Sequence, residues 1–199
     1  MKRGKQSQPT ARLTRVESQA VTRERLLAAA QESFRKEGYA ATSVERIAEA
    51  AGYSKGAVYS NFDSKESIFL NVLETVGRES LMPLLAALAT AADTAAVIDL
   101  LVAWADDRSQ SGVWSLTLLE HARVAPKSDS LRRQEEIIRQ LWRQLGECLL
   151  DRFPTLDAEA ETLGALLHEI AFAPATTFVS QPKAGALMRL AMTRILPTV

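Results

Sequence analysis

The sequence predicts an all-α protein in which an N-terminal three-helix domain is joined to a C-terminal helical bundle. Three observations lead to this prediction: apolar residues recur at helical spacing, strict apolar–polar alternation is absent, and capping or breaking residues stand at intervals. The chain has 199 residues, of which 47% are hydrophobic and 24% charged, the composition of an ordinary globular protein. It is long enough to bury one large core or two modest ones.

The first predicted helix follows a polar segment, residues 1–20, which holds five basic residues against one acid. That segment has no sustained apolar period, so we expect a flexible basic arm. Thr22 can cap the helix, and Gly38 stands where a C-terminal glycine would end it. One apolar stripe runs between them: Leu26, Leu27, Ala30 and Phe34.

The next two predicted helices are short and enclose a glycine turn within residues 43–62. Thr42 and Glu45 form a capping box before the first of them, and Gly52 can end it in the left-handed conformation. Ser54 can cap the second helix, whose apolar residue Val58 can turn inward. Two helices joined in this way are typical of the helix-turn-helix that binds DNA.

A fourth helix is predicted after a second capping box, Asp63 with Glu66. Its apolar residues Ile68, Phe69, Val72 and Val76 lie on one face. This helix would connect the N-terminal domain to the rest of the chain.

Residues Thr22 to about Leu73, centred on GYAATSVERIAEAAGYSKGAVYSNFDSKESIF, closely resemble the DNA-binding domain of the TetR family of bacterial transcriptional regulators. The resemblance implies a DNA-binding domain over residues 21–80 and a domain for effector binding and dimerisation over residues 81–199. The sequence departs from the commonest family pattern at Ser60 and Asn61, where a tyrosine or arginine and then a histidine often stand.

Small, hydroxyl-bearing and basic residues predict the surface that would meet DNA. Hydroxyl and amide groups can donate to phosphate oxygens, lysines can neutralise phosphates, and Gly56 lets the backbone approach a groove. The alternative is that these are exposed polar residues and helix caps. The predicted contacts are Thr42, Ser43, Ser54, Lys55, Gly56, Ala57, Tyr59, Ser60, Asn61 and Lys65.

Charge is distributed unevenly along the chain, although the net charge is zero. Residues 1–66 hold 12 Lys or Arg against 8 Asp or Glu, and residues 67–199 hold 12 against 16. The positive half coincides with the predicted helix-turn-helix, as expected if only that half meets phosphate. The basic arm would then lie along or in the minor groove, or it would be a solvated tail that adds weak attraction.

Beyond residue 80 the sequence predicts helices separated by prolines and glycines. Residues 81–92 are predicted to extend the fourth helix, with a kink at Pro83. Five further helices are expected over residues 93–109, 112–123, 129–152, 156–179 and 183–196.

The last two of these helices carry more apolar surface than one core stripe needs. The resemblance implies that they pair across a two-fold axis to form a homodimer. The alternative is that both are core helices of a monomer. The predicted interface residues are Leu163, Leu166, Leu167, Ile170, Leu187, Leu190 and Ala191.

All three tryptophans lie in the C-terminal half, on separate predicted helices. Aromatic rings on several helices of one bundle can line an apolar ligand cavity, or they can be ordinary core. We expect His168 to be a polar residue at the rim of the dimer helix. The candidate ligand-binding residues are Trp104, Trp114, Leu118, His121, Trp142 and Phe172.

The function predicted from these features is a ligand-responsive regulator of transcription. We expect a repressor that a small apolar or amphipathic molecule releases from a palindromic operator. The alternative is a DNA-bound dimer without an effector, whose C-terminal half serves dimerisation or protein partners. An enzyme is not expected, because the two histidines fall in separate helices and no phosphate loop or nucleophile elbow is present. We expect no cofactor, no metal and no membrane insertion, and a cytoplasmic location.

Overall fold

The computed structural model describes residues 15–109, 112–124, 128–177 and 181–197. Within these ranges all regular secondary structure is helical, which confirms the all-α prediction. The elements are α1 Arg15–Ala41, α2 Val44–Ala51, α3 Lys55–Tyr59, α4 Lys65–Thr90, α5 Thr94–Ser109, α6 Gly112–Val124, α7 Asp129–Arg152, α8 Ala160–Thr177 and α9 Ala184–Ile195.

The first helix begins earlier than predicted, because Thr22 is an interior residue of α1 and not its cap. The Thr22 hydroxyl donates to the carbonyl oxygen of Ser18 at 2.8 Å, a bond available only inside a helix that has already started. Residues 15–20, which are expected from the sequence to belong to the flexible arm, are therefore helical. Residues 1–14 of that arm lie outside the described residues. Gly38 has a φ of +78° and interrupts the helical geometry near the end of α1.

Both predicted capping boxes are wrong by one residue. Ser43, not Thr42, caps α2 and accepts from the Arg46 N–H at 3.3 Å. Ser64, not Asp63, caps α4 and accepts from the Ser67 N–H at 3.1 Å. A hydroxyl residue follows each predicted cap, so the sequence offers two adjacent candidates each time.

The turn between α2 and α3 is as predicted. Gly52 adopts the left-handed conformation, with φ 73° and ψ 29°, and its N–H bonds the carbonyl groups at the end of α2. Ser54 caps α3 and accepts from the Ala57 N–H at 3.2 Å. Val58 is fully buried and anchors α3 to the N-terminal core.

The C-terminal half follows the predicted helices closely. Helix α4 continues through Pro83 to Thr90, and α7 has the predicted bounds. Helix α8 begins at Ala160 and not at residue 156, because turns and non-helical residues after Phe153 occupy the intervening positions. No helix among the described residues is long and apolar enough to cross a membrane.

Two glycines let α7 and α8 cross in backbone contact. A Cβ atom on Gly146 of α7 would overlap the carbonyl oxygen of Ala160, and one on Gly164 of α8 would overlap the carbonyl oxygen of Trp142. Each helix therefore contributes one glycine at a point where the backbone of the other helix touches it. This contact fixes the position of Trp142, whose side chain is part of the site described below.

Candidate nucleic-acid interface and bundle cavity

Helix α3 presents a small and polar face to solvent. Ser54, Lys55, Gly56, Tyr59 and Ser60 are exposed, whereas Val58 on the opposite side is buried. The Tyr59 side chain is 49% exposed although it is a large aromatic group. Apart from Tyr59 the exposed face is small and polar, and a face of this kind can approach a groove closely.

Several polar groups of the predicted DNA surface make local bonds in the structure. The Ser60 hydroxyl and the Asn61 side-chain amide both donate to the carbonyl oxygen of Ala57, at 2.9 and 2.8 Å. Ser43 and Ser54 cap the two helices. These bonds hold the helix ends in place, and DNA contacts by the same residues stay a prediction.

Lys55 is the exposed cation at the start of α3. Its ammonium group forms an ion pair with Glu45 of α2, and both side chains are more than half exposed. The ammonium group, by hydrogen bonding, lowers the pKa of the Glu45 carboxyl group. Because the pair is exposed to water, its net contribution to stability is small and a phosphate can displace Glu45.

The sequence predicts Lys65 and Thr42 as exposed groups that donate to DNA phosphates. In the structure both side chains bond the protein backbone instead. Lys65 donates to the carbonyl oxygens of Tyr39 and Thr42, at 2.7 and 2.8 Å, and lies over the Tyr39 ring. Burial lowers the pKa of this ammonium group. Thr42 is 2% exposed, and its hydroxyl donates to the carbonyl oxygen of Gly38 at 2.8 Å. Both side chains fasten the end of α1 within the domain.

Arg23 is a residue of this site that the sequence does not indicate. Its guanidinium donates to the Asn61 carbonyl oxygen at 2.8 Å and to the Asn71 side-chain oxygen at 2.6 Å. It also lies 4.3 Å from the centre of the Phe62 ring. Arg23 therefore ties α1 to the turn after α3 and to α4, and this fixes the orientation of α3.

The C-terminal bundle contains an apolar cavity of about 100 Å³. Five of the six candidate ligand residues line it: Trp104, Trp114, Leu118, Trp142 and Phe172. Helices α4, α5, α6, α7 and α8 all contribute to its wall. The tryptophans of three helices therefore do meet at one cavity, although ligand binding there stays a prediction.

His121, the sixth candidate, is not among the residues that line this cavity. It is fully buried against the Tyr39 and Phe69 rings of the N-terminal core, at centroid distances of 4.9 and 4.7 Å. Its ring nitrogens bond Gln134 at 2.6 Å and Ser130 at 3.0 Å. Burial lowers the pKa of the imidazole. The prediction from the sequence places His121 on the wrong face of α6.

His168 lines the cavity, whereas the sequence predicts a rim residue of the dimer helix. Its ring stacks on Phe172 at 4.3 Å and meets the edge of Trp142 at 5.6 Å. Burial lowers the pKa of this imidazole as well. Residues 168 and 172 are four apart in one helix, so the predicted position of Phe172 could have indicated His168.

Helix α6 connects the cavity to the N-terminal domain. Trp114 and Leu118 line the cavity and also pack against the N-terminal core. On the same helix Glu120 accepts from the Ala40 N–H at 2.9 Å, and His121 lies against the aromatic rings of that core. Helix α6 thus contacts both the cavity and the end of α1.

The predicted dimer residues divide into three groups by their exposure in the single chain. Leu163 and Leu167 are buried in the core of the single chain, and so do not form a free face. Ile170 and Ala191 are partly buried against the same core, and Leu187 is half-buried. Leu166 is 40% exposed and Leu190 63% exposed, and these two leave apolar surface on α8 and α9.

Helices α1–α4 define a helix-turn-helix domain of the kind that DNA-binding proteins carry. Residues 26–72 match the family model described as bacterial regulatory proteins, tetR family. A 52-residue segment is 42% identical to YerO of Bacillus subtilis, named an uncharacterized HTH-type transcriptional regulator. That segment covers 26% of this chain and 18% of YerO. The match lies within α1–α4, so the similarity to the tetR family is shown for the helix-turn-helix domain.

Solved structures show that the fold extends beyond this domain. The protein SCO7518 of Streptomyces coelicolor A3(2) has a TM-score of 0.71 and 24% identity, over 89% of this chain and 99% of that one. The multidrug binding protein EbrR, complexed with imidazole, has a TM-score of 0.67 and 21% identity, over 89% and 96% of the two chains. At these identities the likeness shows the shared fold.

Proposed function

We propose that this protein is a dimeric repressor that binds a palindromic operator through α3 and releases it when a small molecule occupies the bundle cavity. The exposed polar face of α3, on a domain that matches the TetR family, supports the DNA-binding part. A dimer would place two α3 helices on successive major grooves, about 34 Å apart.

The contacts of α6 support the ligand response. A molecule that displaces Trp114 or Leu118 changes the packing of α6, and through Glu120 and His121 it changes the position of α1. Release of DNA then requires that the ligand prefer the conformation in which the two α3 helices no longer match the operator. EbrR, which shares the fold, is named a multidrug binding protein. The cavity also favours this function over a regulator that has no effector.

The DNA contact is tested by replacing the exposed cation of α3. We expect Lys55→Ala to weaken binding to operator and to unrelated duplex DNA alike, because a phosphate contact carries no sequence information. The slope of the logarithm of the binding constant against the logarithm of the salt concentration should become less steep by about one unit per half-site. Tyr59→Phe should lose only a hydroxyl donor.

Arg139→Ala is the matched control for Lys55→Ala. Arg139 is also an exposed cation in an ion pair with a glutamate, at 2.8 Å from Glu161, but it lies on α7. Its replacement should leave DNA affinity and salt dependence unchanged. If Lys55→Ala and Arg139→Ala bind like the parent over a salt titration, α3 does not meet DNA in the proposed orientation.

The dimer is tested at an exposed leucine, because Leu163 and Leu167 also hold the single chain together. We expect Leu190→Glu to dissociate the dimer, since the interface would bury an unpaired carboxylate, at a cost of about 3 kcal/mol or more. The helical content of the monomer should persist, because Leu190 is 63% exposed in the single chain. Sedimentation velocity gives the mass, and Arg194→Glu, on the exposed end of the same helix, is the control for added charge. An undisturbed dimer in Leu190→Glu would place the interface elsewhere.

A further inference from the structure

We propose that the bundle cavity binds a small aromatic ring that carries an anionic oxygen group, such as a carboxylate, with Arg108 and the indole N–H groups of Trp104 and Trp142 as its polar partners. The proposal rests on the proposed ligand response and specifies its ligand. Three features of the cavity support it: its size and wall, its charge, and its unpaired donors.

The size and wall of the cavity favour a single flat ring. Its volume of about 100 Å³ is of the same order as the engineered apolar cavity of roughly 150 Å³ that binds benzene. Aromatic rings form much of the wall, and two of them, His168 and Phe172, already stack on each other at 4.3 Å. Rings of this kind pack well against another ring, edge to face or offset.

The charge of the wall favours an anion over a cation. Among the described residues that line the cavity, Arg108 has the one fixed charge, and no aspartate or glutamate is present. One Arg108 nitrogen donates to the Ser80 hydroxyl at 2.9 Å, and Ser80 lines the cavity too. The ion-pair partner of Arg108 is its neighbour Asp107, which is 67% exposed and so can be solvated when a ligand carboxylate takes its place. A cationic ligand would find no counter-charge in the wall.

Two donors in the wall have no acceptor within the part of the chain that the structure describes. The indole Nε1 atoms of Trp104 and Trp142 are buried and make no hydrogen bond among the described residues. Buried N–H groups are nearly always paired in folded proteins, so two unpaired ones at a single cavity indicate a missing acceptor. A carboxylate has two oxygens and about four acceptor positions, enough for both indoles and a guanidinium nitrogen.

Calorimetric titration of the full chain with three single-ring probes tests the proposal. Benzoate, toluene and benzylamine share the ring and differ in charge. We expect benzoate to bind most tightly, toluene more weakly and benzylamine least. Arg108→Gln should weaken the binding of benzoate about ten- to a hundredfold and leave the binding of toluene nearly unchanged, because only the charged hydrogen bond is lost. Trp142→Phe should weaken benzoate less, since it removes one neutral donor.

Two further variants keep this test decisive. Arg108→Lys retains the charge and should retain part of the benzoate affinity even if Arg108→Gln fails to fold. Arg139→Gln removes an exposed arginine outside the cavity and should bind all three probes like the parent. Equal binding of toluene and benzoate would overturn the proposal. So would an undiminished benzoate affinity in Arg108→Gln, or no benzoate binding to the folded chain.

Operator binding separates failure of this inference from failure of the proposed function. If benzoate binds through Arg108 but leaves operator affinity unchanged, the ligand class is supported and the ligand response is wrong. If toluene or benzylamine releases the operator and benzoate does not, the response is supported and the ligand class is wrong. If benzoate releases the operator, linkage requires that the operator weaken benzoate binding by the same factor.

Discussion

Replacing Gly164 by alanine is expected to destabilise the protein by about 3 kcal/mol or more, the upper end of the range for overpacking. The added methyl group would overlap the carbonyl oxygen of Trp142, which belongs to the backbone of α7 and cannot rotate away. Helices α7 and α8 would have to separate, and the buried Leu145 and Leu167 would lose contacts in the C-terminal core. Urea unfolding followed by far-UV circular dichroism measures the loss.

Gly56→Ala is the matched control. The nearest atom to a Cβ on Gly56 is the Ser54 hydroxyl oxygen, at an ordinary 3.7 Å, and Gly56 is exposed in α3. Alanine should leave stability unchanged or raise it by up to about 1 kcal/mol, because it favours the helix. Its effect should fall on DNA binding instead, where the methyl group meets the groove. If Gly164→Ala were as stable as the parent, the close crossing of α7 and α8 would be wrong.

The second large effect is expected at His121, where the N-terminal core meets α6 and α7. His121→Ala leaves a hole between the Tyr39 and Phe69 rings and removes the partner of Gln134. The cavity and the unpaired amide together should cost about 3 kcal/mol. Urea unfolding at about pH 7.5, where the imidazole is neutral in both states, measures this loss.

The titration of His121 gives a further result in the same experiment. Burial lowers the pKa of the folded imidazole, whereas the unfolded chain protonates near pH 6.5. Just below pH 6.5 the unfolded state binds more protons than the folded state. The free energy of unfolding therefore decreases as the pH is lowered. Between about pH 7.5 and 5.5 the free energy of unfolding of His121→Ala should therefore decrease less than that of the parent protein. His168→Gln is the comparison variant: burial lowers the pKa of His168 too, so this variant should lose the His168 part of the decline and keep the part that His121 causes. A decline of the same steepness in the parent and in His121→Ala would contradict the assignment.

The helix-turn-helix could be predicted from the sequence because its signals are local. Gly52, the Ser54 cap and the inward Val58 lie within a few residues of their partners, so spacing alone indicates their roles. The caps of α2 and α4 are predicted one residue early because adjacent residues in each case can cap a helix. At α2 the structure distinguishes the two candidates because Thr42 is buried, and Ser43 is the residue that caps the helix.

The errors at the site concern residues whose partners are distant in sequence. Lys65 bonds carbonyl groups 26 and 23 residues away, so from the sequence it resembles an exposed cation. The buried face of α6 is shared between the cavity and the N-terminal core, and periodicity does not say which of its residues meets which. The assignment of His121 to the cavity is wrong for this reason. Leu163 and Leu167 are predicted at the dimer interface because an apolar stripe does not distinguish a core from an interface.

Selection of bound fragments from random duplex DNA tests the central claim most directly, because the operator sequence need not be known beforehand. We predict enrichment of a palindrome whose half-sites are separated by about 10 base pairs or a multiple, which matches two α3 helices on one face of DNA. The enrichment should weaken with Lys55→Ala and persist with Arg139→Ala. Recovery of unenriched sequence by the folded parent protein would contradict the claim that this chain reads an operator.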